Sequence, residues 1–268
     1  MTVQPSLRTS ICVNAATGRM GQQISHQINV SKETELVSAL CRPAHPYHQK
    51  IVRGSANVKY TSDLLSALTA AQVVIDFSLP AVSLVLLEKA VESKTPILIG
   101  TTGFSSQQID QIKQASHEIP ILIAPNTSIG VNATLSLIAK AAKMLGKEAN
   151  IEIIEAHHKH KLDSPSGTAL KMGEVICDSM GSNLRETAVY NRSDSKAGRT
   201  DNEIGFSVIR AGSIVGEHKV MFALENEIIS IEHKAQSRQC FAEGAVKAAT
   251  WLIHQENGLY SMQDFLAG

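Results

Sequence analysis

The sequence predicts an α/β chain of two domains, an N-terminal doubly wound parallel sheet and a second α+β domain carrying an open mixed sheet. Three observations lead there. Short runs at residues 73–77 (V-V-I-D-F), 97–100 (I-L-I-G) and 121–124 (I-L-I-A) are apolar and rich in β-branched residues, as strands buried on both faces are. Stretches at 81–92 and 105–117 separate them and are long enough for crossover helices. Beyond residue 130 the pattern changes to strand-like runs at 204–209, 218–224 and 228–233, joined by turns such as Ala211-Gly212-Ser213, which reads as antiparallel pairing.

Size and charge narrow the function classes. A chain of 268 residues that is 43% hydrophobic can close two cores. Lysine plus arginine and aspartate plus glutamate both number 25, so no global field draws the protein to nucleic acid or to an anionic membrane. The four cysteines (Cys12, Cys41, Cys177, Cys240) form no C-x-x-C pair, which argues against a zinc ribbon or disulfide framework and fits a reducing compartment. No apolar run reaches the roughly 18 residues a membrane span needs. The opening M-T-V-Q-P-S-L-R-T-S lacks the apolar core of a secretory signal. A cytoplasmic protein is expected.

Taken in order, residues 10–14 read as a first strand, followed by Ala15-Ala16-Thr17-Gly18-Arg19-Met20-Gly21. From there Met20, Ile24 and Ile28 recur every fourth residue, the spacing of an amphipathic helix. A strand, a glycine-bearing turn and a helix together aim backbone N–H groups and a helix dipole at a phosphate. Ala15 holds the first glycine position of that loop, and a simple tight turn also fits. The succeeding β and α units strengthen the Rossmann-like reading. The strand ends then collect Gly100, Thr101 and Thr102, and Ala124, Pro125, Asn126 and Thr127, where a nicotinamide and its ribose would lie. The second strand, 36–40, ends in Cys41 and Arg42 with no carboxylate to take a ribose 2′-hydroxyl. NADPH is therefore expected over NADH, with NADH still usable, because an arginine suits the 2′-phosphate.

The second domain begins with a helix at 131–145 and a strand at 151–156. The chemistry is concentrated just after, in E-A-H-H-K-H-K-L-D-S-P-S-G-T-A from Glu155 to Ala169. A helix follows, with Ala169, Leu170, Gly173, Ile176, Cys177 and Met180 on one face, then a long polar loop at 187–202. A last helix at 241–254 returns to the first domain. The expected domains are thus 1–129, completed by 241–268, and 130–240. No metal is expected at the histidines, because Lys159 and Lys161 would sit beside a dication and H-H-x-H is not the helical spacing of a zinc site. Histidine titrates near neutrality and lysine can donate a proton, while Gly167 and Thr168 at a helix start suit a carboxylate. The cluster points to a small dicarboxylate reduced by a nicotinamide cofactor.

The same stretch closely resembles the signature of the dihydrodipicolinate reductase family, of the diaminopimelate route to lysine. The resemblance extends through A-T-G-R-M-G, D-F-S, G-T-T-G-F, A-P-N-T-S-I-G-V-N, R-A-G-S-I-V-G-E-H and F-A-E-G-A-V-K-A-A. It implies that His157 is a proton donor and acceptor, Lys161 the proton donor to substrate, and His158 a substrate contact. It implies further that Gly167 and Thr168 hold a carboxylate. The cofactor would rest on Ala15 to Met20, Arg42, Gly100 to Thr102 and Ala124 to Thr127. The resemblance also implies a homotetramer assembled through the central sheet. Ala15 departs from the family's usual glycine, so the pyrophosphate is expected slightly farther out. Two other readings stay open here: a two-domain dehydrogenase of a sugar or semialdehyde, and an NADPH-binding sensor without catalysis.

Overall fold

The computed structural model describes residues 8–193 and 198–268. Chain order is β1 (Thr9–Asn14), α1 (Arg19–Val30), β2 (Thr34–Leu40), β3 (Tyr60–Thr61), α2 (Leu64–Thr69), β4 (Val73–Asp76), α3 (Pro80–Glu92), β5 (Ile97–Ile99), α4 (Ser106–Ala115) and β6 (Pro120–Ile123). It continues with α5 (Ile129–Leu145), β7 (Asn150–His157), α6 (Gly167–Met180), α7 (Leu184–Thr187), β8 (Ala188–Val189), β9 (Ile204–Arg210), β10 (Glu217–Ala223), β11 (Ile228–Lys234), α8 (Gln239–Leu252), β12 (Gly258–Tyr260) and α9 (Met262–Ala267). The chain divides into two compact units, one made of the segment up to Ile129 with Gln239–Gly268, the other of Gly130–Arg238.

The first unit holds a seven-stranded sheet in the order β12-β6-β5-β4-β1-β2-β3, and every pairing in it is parallel. Its central strands are largely apolar because each face feeds its own core. Ile11, Val13, Ile75, Leu98 and Leu122 meet Ile24 and Ile28 of α1 and Ala245, Ala249 and Leu252 of α8 on one side. Cys12, Val74, Ile97, Ile99 and Ile121 meet Leu68, Leu86, Leu87 and Ile112 on the other. Adjacent strand residues thus serve opposite cores, as the period-2 geometry requires. Helix α4 starts on a capping box between Ser105 and Gln108. The C-terminal ends of β1, β4 and β5 are tied by one buried carboxylate, Asp76, which accepts from Asn14 Nδ2 at 2.7 Å, from Thr101 Oγ1 at 3.0 Å and from the Ser83 hydroxyl.

The second unit holds a five-stranded sheet in the order β11-β10-β7-β9-β8. Ile151, Ile153, Phe206, Val220 and Phe222 line its covered face beneath α5 and α6, packing on Val131, Ile138, Met172 and Ile176. On the other face Ile209 and Ile228 remain 47% and 59% exposed. Helix α6 is capped at its start by Ser166, whose side chain accepts from Ala169 N, and at its end by Gly181 with φ 71°.

One expectation needs correcting. The runs now seen as β9 and β10 do not pair with each other: β9 lies parallel to β7 on one side, and β10 antiparallel to β7 on the other. Alternation of apolar residues fixes which face a strand buries but not which strand lies beside it, and residues 211–216 are long enough to step over one intervening strand, a span of about 10 Å. Within the expected polar loop at 187–202, α7 ends at Thr187 and β8 adds to the sheet edge beside β9. Residues 194–197 of that loop, and residues 1–7 of the N-terminal segment, lie outside the described residues. Among the described residues no helix is long and apolar enough to cross a membrane.

Candidate active site

Strand β7 is apolar where its inward face enters the core, at Ile151 and Ile153, and the same face then presents Glu155 and His157. Register places Glu155 opposite His218 of β10, and His157 opposite Arg210 of β9. A polar cluster therefore continues the core face at the carboxyl end of the central strand. Glu155 is 1% exposed and accepts from four N–H groups. Arg210 donates from Nη1 to Oε2 at 2.8 Å and from Nη2 to Oε1 at 2.7 Å, Ser166 N donates to Oε1 at 3.0 Å, and His157 Nδ1 lies 2.5 Å from Oε2. Burial pushes the Glu155 carboxyl up, but Arg210, then His157 and Ser166, more than offset it, and the group is held below its ordinary value.

In the histidine beside it burial prevails. Burial lowers His157 below its ordinary value; Glu155 opposes this, while Lys161 and Arg210 add to it. His218 lies edge-on to His157 with ring centroids 5.1 Å apart, its Nε2 at 3.0 Å from Ser166 Oγ and its Nδ1 buried without a partner among the described residues. Burial, then the neighbouring His157, brings His218 down to about 4. The segment 211–216, in stepping over the end of β7, closes the site. Ala211 N donates to His157 O at 2.9 Å, and Lys159 N to Gly212 O at 3.3 Å. Gly216 faces the His157 ring so closely that a Cβ there would stand 3.0 Å from Nε2.

The remaining second-unit residues follow in the turn after β7. Lys161 Nζ is 2.9 Å from Asp163 Oδ2, with its side chain 21% exposed, and Lys161 N donates to His158 O at 3.1 Å. His158 is half-buried, and its Nδ1 has no partner among the described residues. Gly167 opens α6, and the space where its side chain would stand is clear for 4 Å, so an anion can approach the helix end there. Thr168 is the next residue of that helix.

The nucleotide-side residues all belong to the first unit. Ala15 takes φ 50°, the left-handed conformation a glycine adopts freely, so the loop keeps a glycine-type path at a cost of about 1 kcal/mol. Ala16 is buried, and Gly18 caps α1 without any side-chain hydrogen bond, leaving the opening turn at Arg19 and Met20 uncapped by protein side chains. Thr17 O accepts from Gln22 Nε2 at 2.8 Å. That uncapped helix end suits a dinucleotide's pyrophosphate. Arg42 is exposed after β2 and, among the described residues, in no ion pair. Gly100 lets Phe77 lie flat against the backbone, for a Cβ would meet that ring at 2.3 Å. Two hydroxyls point inward: Thr101 to Asp76, and Thr127 to Phe241 O at 2.7 Å. Thr102 and Pro125 are exposed, Ala124 is buried, and Asn126 Oδ1 accepts from Ser128 N at 2.9 Å.

Sequence reasoning singled out His157 and Lys161 but gave no role to Glu155, Ser166, Arg210, Gly216 or His218. A signal for Glu155 was present, since residues two apart on a strand share a face. Arg210, Gly216 and His218 all fall in R-A-G-S-I-V-G-E-H, yet only the register shows that this segment lies over His157.

A parallel sheet ending in an uncapped helix, joined in one chain to a mixed sheet bearing buried histidine and lysine chemistry, defines a two-unit oxidoreductase of the dinucleotide-binding class. Comparison with known proteins narrows this. Residues 9–127 match the model for the N-terminus of dihydrodipicolinate reductase, and residues 130–266 that for its C-terminus. The 4-hydroxy-tetrahydrodipicolinate reductase of Nitrosospira multiformis is 43% identical over 261 residues, covering 96% of this chain and 97% of that one. Its counterpart from Methylococcus capsulatus is 44% identical over 265 residues, covering 97% and 98%. A solved structure of dipicolinate-bound dihydrodipicolinate reductase from Paenisporosarcina sp. TG-14 shares the fold with a TM-score of 0.78 at 22% identity, covering 95% of this chain and 98% of that one. The chain belongs to the dihydrodipicolinate reductase family.

Proposed function

We propose that this protein reduces 4-hydroxy-tetrahydrodipicolinate, or the dihydrodipicolinate formed from it by loss of water, to tetrahydrodipicolinate, in the diaminopimelate route to lysine. The observation that carries the reading is the buried Glu155–His157 pair with Lys161 in the turn that leads to the N-terminus of α6. NAD(P)H is the reductant, and when bound it supplies a hydride. The protein's own groups supply the rest. The Lys161 ammonium delivers the balancing proton to the substrate, His157 exchanges protons beside it, and His158 contacts the ring. Gly167 and Thr168, opening α6, take one carboxylate of a dicarboxylate substrate. The dipicolinate in the Paenisporosarcina protein supports that substrate class.

The cofactor would rest on Ala15, Ala16, Thr17, Gly18, Arg19 and Met20 at the uncapped end of α1, on Gly100, Thr101 and Thr102, and on Ala124, Pro125, Asn126 and Thr127. Arg42, exposed and without an acidic partner among the described residues, makes NADPH the preferred form. Replacing Arg42 by alanine is expected to raise KM for NADPH about 10- to 100-fold, the worth of a charge-assisted hydrogen bond, while KM for NADH stays put. An equal loss with both cofactors would remove Arg42 from the 2′-phosphate. The exposed apolar residues on the uncovered face of the second sheet, Ile209 and Ile228, support assembly through that face into a homotetramer. Four cysteines that form no disulfide among the described residues support a cytoplasmic setting.

The deciding assay follows NADPH oxidation with substrate formed in situ from pyruvate and aspartate semialdehyde by dihydrodipicolinate synthase. Oxidation that requires every component supports the reaction. Absence of oxidation by a protein that still binds NADPH rejects the substrate.

A further inference from the structure

We infer that Glu155, gripped by Arg210, is a positioning residue that fixes which nitrogen of His157 is presented for reaction. The inference rests on the reductase reading above and adds a residue to it. An ionised carboxylate only accepts, so the 2.5 Å contact places a proton on His157 Nδ1 and leaves the lone pair on Nε2. Glu155 has no freedom to present itself otherwise. Its four partners occupy both oxygens, and Arg210 is itself anchored, donating from Nη2 to Asp163 O at 2.7 Å and from Nη1 to Ile209 O at 2.8 Å. Nε2 faces Gly216, where any side chain would crowd the ring, its Cβ 3.0 Å from that nitrogen.

Four titratable or charged groups face the His157 ring: Glu155 on its own strand, Arg210 from β9, His218 from β10, and Lys161 from the turn after β7. Only Glu155 is negative. Burial, Lys161 and Arg210 disfavour the imidazolium, so the resting ring is neutral and accepts at Nε2. Arg210 has a second task. By stabilising the carboxylate it stops the shared proton from settling on Glu155, which would reverse the tautomer. His157 then starts the cycle as a proton acceptor at Nε2, and the first proton to reach substrate comes from Lys161. A purely architectural role, clamping β9 and the start of α6 to β7, would need the Arg210 and Ser166 contacts but not the imidazole.

The test uses the full-length protein with Glu155→Gln and Glu155→Asp. In Glu155→Gln, Arg210 keeps the amide oxygen and turns the NH₂ toward Nδ1, so the ring must place its proton on Nε2. We expect kcat to fall about 10²- to 10⁴-fold, with KM and NADPH binding within a few-fold of the parent. The histidine limb of the pH profile should move to lower pH, since the only group raising His157 has lost its charge. Glu155→Asp, which keeps the charge, should recover part of kcat and leave the limb near its original place. Nitrogen-15 spectra of the unsubstituted protein, with His157 assigned by its absence in His157→Gln, should show the Nδ1-protonated form at neutral pH. An Nε2-protonated ring there, or an unmoved pH limb in a folded Glu155→Gln, would overturn the inference. Should the unsubstituted protein fail to oxidise NADPH, the substrate reading falls alone, because the nitrogen-15 spectrum reads the tautomer without turnover.

Discussion

Replacing Lys161 by alanine is expected to lower kcat by about 10²- to 10⁴-fold, the range a positioned general acid contributes. Among the described residues its Nζ forms an ion pair only with the exposed Asp163, so the fold should tolerate the loss, and melting temperature and NADPH binding should stay close to the parent. A second readout distinguishes lost acid from lost structure. Lys161 is one of the charges that depress His157, so its removal lets that histidine rise toward its ordinary value. The acid limb of the pH–rate profile should therefore move upward in Lys161→Ala, the opposite of the movement expected for Glu155→Gln. A variant with unchanged kcat would exclude Lys161 as the donor.

Stability should decline on the acid side of neutrality, and His218 should be the largest single cause. The unfolded histidine takes a proton near 6.5, whereas the folded one resists until about 4. Between those values the unfolded chain binds a proton that the folded chain does not, so unfolding gains as pH falls. Stability from this group is fully present above about 6.5 and lost progressively down to about 4, a change of about 3 kcal/mol. His157 and His233, also lowered by burial, act in the same direction. Urea unfolding of the parent and of His218→Gln at pH 7 and pH 5 tests this. The glutamine can still bond Ser166 Oγ but cannot titrate, so its stability should vary much less over that interval. Parallel slopes for the two proteins would assign the decline elsewhere.

Elements with a marked apolar pattern, periodic or unbroken, were legible. Ile24 and Ile28 mark α1, and the unbroken apolar runs at β4, β5 and β6 mark strands covered on both faces. The edge strands β3, β8 and β12 carry no such pattern; each exists because a neighbouring strand offers an open edge. The neighbour of β9 was misread for a related reason, since alternation shows which face a strand buries but not which strand lies beside it. In the site, His157 and Lys161 announced themselves by residue type and crowding. Glu155 did not, because its meaning comes from Arg210, which is 55 positions away and arrives only through the β7–β9 register. Thr101 and Thr127 were legible as polar residues at strand ends, but not as hydroxyls engaged by Asp76 and by Phe241 O.

Helix α8 has a bearing on how the protein is made. It is translated last but one among the helices, yet it covers the sheet face formed by Ile75, Leu98 and Leu122. A ribosome adding about 5–20 residues per second finishes the strands of the first sheet up to β6 on the order of ten seconds before α8 emerges. During that interval the second unit, contiguous in sequence, can close its own core, while in the older segment α1 alone covers the side that α8 will share. Synthesis interrupted before residue 239 therefore leaves a product whose first sheet keeps part of one apolar face uncovered.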